Sequence, residues 1–181
     1  MRKLFLMMSL SIATMWGCQR DPCAAILCRN GGVCTNGVCD CPPQFEGGDC
    51  NLEKTPVKMR FTSVQLNRFP ETTISGAGWD FFDAADIYVA IEKDGKELYT
   101  TSFVEDLRRQ YTYVEPFEFD DPTATYSIVV YDYDDGLTPD DYMGGIIFTP
   151  YIRGERFPRT IELDCDLCRV ALTLKGVTYF H

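Results

Sequence analysis

The sequence is almost without histidine, and its single one is the last residue, His181. A Ser or Cys nucleophile therefore has no imidazole to place between itself and an orienting carboxylate, which excludes His-based hydrolytic triads. Multi-histidine zinc and iron sites fall on the same ground. Positive charge is scarce as well, with 17 Lys and Arg against 27 Asp and Glu and a formal charge of -10. Nucleic-acid affinity comes largely from Lys and Arg displacing counterions from phosphate, so nucleic acid is not an expected partner. No long segment carries a helical stripe of apolar residues, and the uncharged run from Leu4 to Trp16 is too short to span a bilayer. What is present is apolar enough to fold: 45% of residues are hydrophobic and 13% aromatic. The length suits one ordinary domain plus something small.

Arg2 and Lys3 followed by the run Leu4 to Trp16 have the charged and apolar regions of a secretory signal. Thr14-Met15-Trp16-Gly17-Cys18 then resembles the lipobox at which bacterial lipoproteins are cleaved and acylated. The resemblance implies a signal over residues 1–17, a lipid on Cys18 that holds the chain to its own membrane, and a tether over 18–22. The alternative is an ordinary secretory signal followed by a structural cysteine. Parity separates the two: taking Cys18 from the nine cysteines leaves an even number able to pair completely in an oxidising compartment. Cys18-Gln19-Arg20-Asp21 is similar to the short signal that sends some Bacteroidota lipoproteins to the outer face of the outer membrane. The expected location is extracytoplasmic, at the outer membrane and facing outward.

Residues 23–50 carry six cysteines, Cys23, Cys28, Cys34, Cys39, Cys41 and Cys50, in a segment too small to bury a core of its own. Cross-links that restrict the unfolded chain must supply its stability. Asn30-Gly31-Gly32 and Asn36-Gly37 provide tight turns. A zinc module would need paired C-x2-C knuckles, which this spacing lacks. The spacing, with Phe45-x-Gly47-x-x-Cys50 closing it, resembles an EGF-like domain. That resemblance implies pairing of Cys23 with Cys34, Cys28 with Cys39 and Cys41 with Cys50. Only Asp21-Pro22 precedes the first of these cysteines, in place of the acidic run of calcium-binding members, so the unit reads as a spacer or contact surface. Residues 51–56 read as a linker stiffened by Pro56.

From Val57 onward, eight stretches rich in β-branched and aromatic residues fall near 57–66, 87–92, 97–103, 113–119, 125–131, 144–149, 159–163 and 169–175. Ile87, Val89 and Ile91 alternate with Tyr88 and Ala90, the period of a strand with one face on a core. Asp94-Gly95 marks a hairpin. The expected fold is mainly β: a small disulfide-rich module followed, over 57–181, by an eight-stranded antiparallel sandwich. Cys165-Asp166-Leu167-Cys168 lies between two of these strands, away from any helix N-terminus that would lower a thiol pKa, and reads as a structural disulfide joining Cys165 and Cys168.

Two stretches collect aspartate, Trp79 to Asp86 before the second strand and Asp132 to Asp141 after the fifth. Hard divalent cations take six to eight oxygen ligands, about the number that carboxylates from two adjacent loops supply. Without a cation, so many like charges would repel or protonate. The alternative is that aspartate is a common turn former and these loops are solvated. Asp80-x5-Asp86-x-Tyr88-Val89, Tyr113-Val114-Glu115-Pro116-Phe117-Glu118-Phe119, and Asp132-Tyr133-Asp134 followed by Asp141-Tyr142-Met143-Gly144 resemble the C2 domain, a sandwich family that often binds calcium and then phospholipid. The resemblance implies Ca2+ as the bound ion and Asp80, Asp86, Asp132, Asp134 and Asp141 as its ligands, with Asp140 competing for the last place. Asp83 and Asp135 are additional carboxylates. Phe81, Phe82 and Leu137, at the tips of the same loops, are the implied contacts to a membrane or other ligand; the competing reading folds the phenylalanines onto the core. The basic strand patch that attracts anionic lipid is thin, with only Lys93 and Lys96 nearby.

These features describe an anchored binding or adhesion module, not an enzyme, whose second ligand is a membrane, a glycan or a protein. Two other readings compete with it. One is a calcium-independent protein-interaction module. The other is a glycoside hydrolase using a carboxylate pair such as Glu115 and Glu118, which would need a cleft that raises one pKa.

Overall fold

The computed structural model describes residues 20–80, 84–134 and 139–181. The proposed signal and Cys18 lie outside the described residues, as do Phe81, Phe82, Asp83, Asp135 and Leu137. Among the described residues every regular element is a strand: β1 (Val33–Thr35), β2 (Val38–Asp40), β3 (Phe45–Glu46), β4 (Leu52–Glu53), β5 (Lys58–Phe61), β6 (Ser63–Arg68), β7 (Ile87–Lys93), β8 (Lys96–Thr100), β9 (Tyr111–Tyr113), β10 (Phe117–Phe119), β11 (Tyr126–Asp132), β12 (Asp141–Phe148), β13 (Thr160–Cys165), β14 (Val170–Lys175) and β15 (Thr178–Phe180). All pairings are antiparallel.

The N-terminal module holds two short hairpins, β1–β2 and β3–β4. Asn36 and Gly37 both take positive φ (52° and 87°), the backbone a two-residue hairpin needs. Disulfides join Cys23 to Cys34, Cys28 to Cys39 and Cys41 to Cys50. Leu27, Val33 and Val38 face solvent while Cys50 is fully buried, so the sulfurs take the place of a core. Part of the segment expected as a linker is structured, because β4 pairs with β3. Glu53 then accepts from Tyr151 Oη at 3.3 Å and from the Gly154 N–H at 2.8 Å. Phe45 meets Phe157 edge-on at 6.0 Å, and Phe157 stacks on Tyr151 at 5.6 Å. The module thus sits against the sandwich through a mixed aromatic and hydrogen-bonded seam.

The remaining strands form two sheets. One has the order β12-β11-β7-β8. The other consists of two pieces, β13-β14-β6-β9 and β10-β5-β15, and three of its runs pass from one piece to the other through a common bend. Thr62 separates β5 from β6, Val114 to Pro116 separate β9 from β10, and Gly176-Val177 separate β14 from β15. Because β6 pairs with β9 and β14 while β5 pairs with β10 and β15, the three breaks lie on one line. Counted as continuous runs among the described residues, the sandwich has eight strands, four to a sheet. The expected stretches 57–66 and 113–119 are therefore each a bent strand, and the last extends beyond 169–175 to Phe180. Pro116 has no N–H to give a ladder, which explains one break.

The core lies between the sheets. Ile87, Val89, Ile91, Ile128 and Val130 meet Val64, Leu66, Leu172 and Leu174, all essentially inaccessible. Each such side chain contributes roughly 1.5–3 kcal/mol of burial. Beyond the bend, Phe119 packs edge-on against Tyr126 at 4.7 Å and Phe148 at 5.8 Å. The bend depends on Gly176, which has φ +63° and whose missing Cβ would fall on Thr62 Oγ1. The Thr62 N–H also donates to Lys175 O at 2.9 Å, so the two runs are held together there. Gly176→Ala is expected to cost about 2 kcal/mol in urea denaturation, from left-handed strain plus overpacking, and a Thr62→Ala background should return part of it.

Candidate functional site

One end of the sandwich gathers the aspartates. Asp132 ends β11 directly opposite Ile87 of β7 and Asp141 of β12, so strand register alone carries it to the rim of the core. It is 1% exposed. Its Oδ1 accepts the Asp86 N–H at 2.7 Å, and the Asp86 carbonyl accepts the Tyr133 N–H at 2.7 Å. This reciprocal pair locks the two aspartate stretches together. Burial, together with the charges of Asp80, Asp134 and Asp86, pushes the Asp132 carboxyl up to about 7, against the opposing hydrogen bond from Asp86. The four expected ligands Asp80, Asp86, Asp132 and Asp134 thus lie in one electrostatic neighbourhood.

The fifth position divides between two neighbours. Asp140 accepts the Asp134 N–H on Oδ1 at 3.1 Å and the Tyr88 hydroxyl on Oδ2 at 2.7 Å. Both its oxygens serve the protein, on the face of the sheet that carries Tyr88. Asp141 stands across from Asp132 and is exposed.

A third loop, 102–110, completes this end and escaped sequence reading. The Asp106 N–H donates to Asp86 Oδ1 at 2.9 Å, while Asp106 Oδ1 accepts the Ala84 N–H at 3.1 Å. Asp106 has φ 52°, a left-handed turn conformation that Asp tolerates, and Val104 bridges Ile87. Glu105-Asp106 between two strand patterns was the available signal, but nothing in it tied the loop to Asp86. Phe103 stacks on Tyr133 with ring centroids 4.4 Å apart and planes 9° from parallel.

Exposed apolar side chains also collect here, in places not anticipated. Ile74 and Leu167 are each 98% exposed, and Tyr142 is 60% exposed. They surround a groove of about 500 Å³ floored by Met143 and Gly144 and bordered by Trp79. Trp79 Nε1 donates to Pro70 O at 2.8 Å and an Arg169 guanidinium N–H donates to Thr72 O at 2.8 Å, which fixes the loop bearing Ile74 against the β13–β14 hairpin. Leu167 rides on that hairpin, closed by the Cys165–Cys168 disulfide. A lone Ile among Thr, Ser and Gly, and a lone Leu between two cysteines, were the legible hints.

Among the described residues, no group of three or more His, Cys, Asp or Glu side chains is arranged to hold a metal ion. The donor chemistry, all carboxylate oxygen around a buried and electrostatically strained Asp132, nevertheless fits a hard cation such as calcium. The alternative carboxylate pair is occupied otherwise. Glu115 accepts from Tyr99 Oη at 2.9 Å and from the Ser102 N–H at 3.2 Å, and Glu118 pairs with Lys58 at 2.9 Å. Both read as fastenings of the bent strand.

No family model matches the chain, and no curated protein does. Several solved structures are similar in fold. A structure described as that of a C2 domain gives a TM-score of 0.47 at 18% identity, over 68% of this chain and 98% of that one. The paired C2 domains of extended synaptotagmin 2, in their calcium-bound form, give 0.44 at 14% identity, over 71% of this chain and 46% of theirs. A C2 domain protein from Ramazzottius varieornatus gives 0.45 at 14% identity, over 70% of this chain and 91% of that one.

Proposed function

We propose that the chain is a lipid-anchored extracytoplasmic binding protein in which an EGF-like spacer carries a calcium-dependent contact surface at the acidic end of the sandwich. The observation that carries this reading is the burial of Asp132 where the two aspartate stretches lock together, with Asp80, Asp86 and Asp134 around it. Asp80, Asp86, Asp132, Asp134 and Asp141 would hold the ion, which would supply positive charge to a repulsive rim. The chain's own part is to fix the three loops through the Asp86, Asp106 and Tyr133 hydrogen bonds and to present Ile74 and Leu167 beside them as apolar contacts to a membrane, glycan or protein. Four disulfides support the extracytoplasmic location, since such bonds persist in oxidising compartments. Attachment through Cys18 rests on the lipobox-like run.

Thermal melting of the chain from residue 18 onward tests the calcium arm. At an affinity of about 0.1–1 mM, 5 mM calcium should raise the midpoint by roughly 2–8 °C, and chelator should reverse it. Magnesium at equal concentration should do much less. An unmoved midpoint would leave a calcium-independent interaction module in its place.

A further inference from the structure

The outer face of the β12-β11-β7-β8 sheet, turned away from the core, carries a row of tyrosines. Tyr88, Tyr131 and Tyr142 occupy paired positions on β7, β11 and β12. The first two rings stack with centroids 5.4 Å apart, and Tyr142 meets Tyr131 edge-on at 6.1 Å. Carboxylates rim the row. Tyr88 donates to Asp140 Oδ2 at 2.7 Å, Tyr131 donates to Glu92 Oε1 at 3.0 Å, and the charge of Glu97 on β8 reaches both phenols.

Among the described residues, no Lys or Arg pairs with a carboxylate of this face, whether Glu92, Glu97 or Asp140. Strand alternation turns Lys93 to the opposite side, where it lies 4.0 Å from Asp121 and 5.4 Å above the Tyr126 ring. Three like charges beside aromatic rings favour a cation twice over, through Coulomb attraction to the carboxylates and through the ring quadrupoles. A single metal ion does not suit them, since Asp140 and Glu92 lie at opposite ends of the row, each already accepting a tyrosine hydroxyl. The patch instead runs from Tyr88 to Glu92, four residue steps or about 13 Å along β7, a length over which an extended peptide turns three side chains to one face.

We propose that this face docks a basic, extended segment of a partner polypeptide, its Lys or Arg side chains entering among Glu92, Glu97 and Asp140 with one lying against Tyr142. Such docking needs no metal and lies beyond the calcium reading, so either can fail without the other.

The experiment titrates the chain from residue 18 onward into a fluorescein-labelled dodecapeptide of alternating lysine and serine, in chelator at low salt, and follows anisotropy. Saturable binding is expected. Glu92→Gln/Glu97→Gln should weaken it at least ~10-fold and Tyr142→Ala about 5-fold. Glu71→Gln/Glu162→Gln, which removes the same charge from exposed positions elsewhere, should leave affinity within about twofold. Gln keeps an acceptor for Tyr131 and Tyr142 is exposed, so these variants retain the fold. No binding, or equal weakening by the two charge-removing doubles, would overturn the docking face, the second by reducing the effect to overall charge.

Discussion

Asp132→Asn is expected to raise the melting midpoint of the calcium-free protein by about 5 °C at pH 8 and to erase the calcium-induced rise. The cause is the cost of holding a charge on a carboxylate that is 1% exposed and faces Asp80, Asp134 and Asp86. Its folded value, pushed up to about 7 from an ordinary 3.8, means that the native state binds the proton more tightly than the unfolded chain does. The stabilisation is therefore fully present below about pH 4 and is lost as pH rises to and through 7. At pH 8 the charged form costs up to about 4 kcal/mol. Asn keeps an Oδ1 to accept the Asp86 N–H and offers N–H donors to the neighbouring carboxylates, so about 2 kcal/mol should be recovered. For a chain of this size that is roughly 4–8 °C.

Two measurements make this specific. The wild type in chelator should lose midpoint between pH 5 and pH 8, and the variant should be flat across the same window apart from other groups. Calcium should act in the opposite sense on the wild type, restoring what deprotonation removes, because a bound cation favours the charged carboxylate. A variant that still melts higher with calcium would place the ion away from Asp132.

Much of this end of the fold was legible in the sequence, for a physical reason. Strand alternation at Ile87, Val89 and Ile91 fixes which face is buried, and the hairpin residues Asp94-Gly95, both observed at positive φ, fix the connection that follows. Two aspartate stretches flanking paired strands β7 and β11 then had to arrive at one end. What was hidden depends on pairing across the sandwich. The bend is a property of three strands together, and no one of them announces it. Asp106 reaches Asp86 through its backbone N–H, a contact no residue type encodes. The exposure of Ile74 and Leu167 follows from which loops project farthest, and periodicity says nothing about projection.

Gly144→Ala should destabilise the protein by about 3 kcal/mol or more in urea denaturation, and should disturb the acidic end as well. A Cβ at this position would overlap the Cys168 carbonyl oxygen and stand 2.8 Å from Val170 Cγ1. The obstacle is backbone, on the far sheet, so it cannot step aside as the end of a side chain could. Gly144 is thus the place where the edge strand β12 and the β13–β14 hairpin close on one another at the rim of the core. Releasing the hairpin should reduce the penalty: in a Cys165→Ser/Cys168→Ser background, where the turn is no longer clamped, the same substitution should cost at least about 1 kcal/mol less. Because β12 begins at Asp141 and the hairpin carries Leu167, pushing the two apart should also weaken the calcium response and the apolar contact together. An unaltered calcium shift in a destabilised Gly144→Ala protein would separate the packing of this edge from the ligand set and remove Asp141 from it.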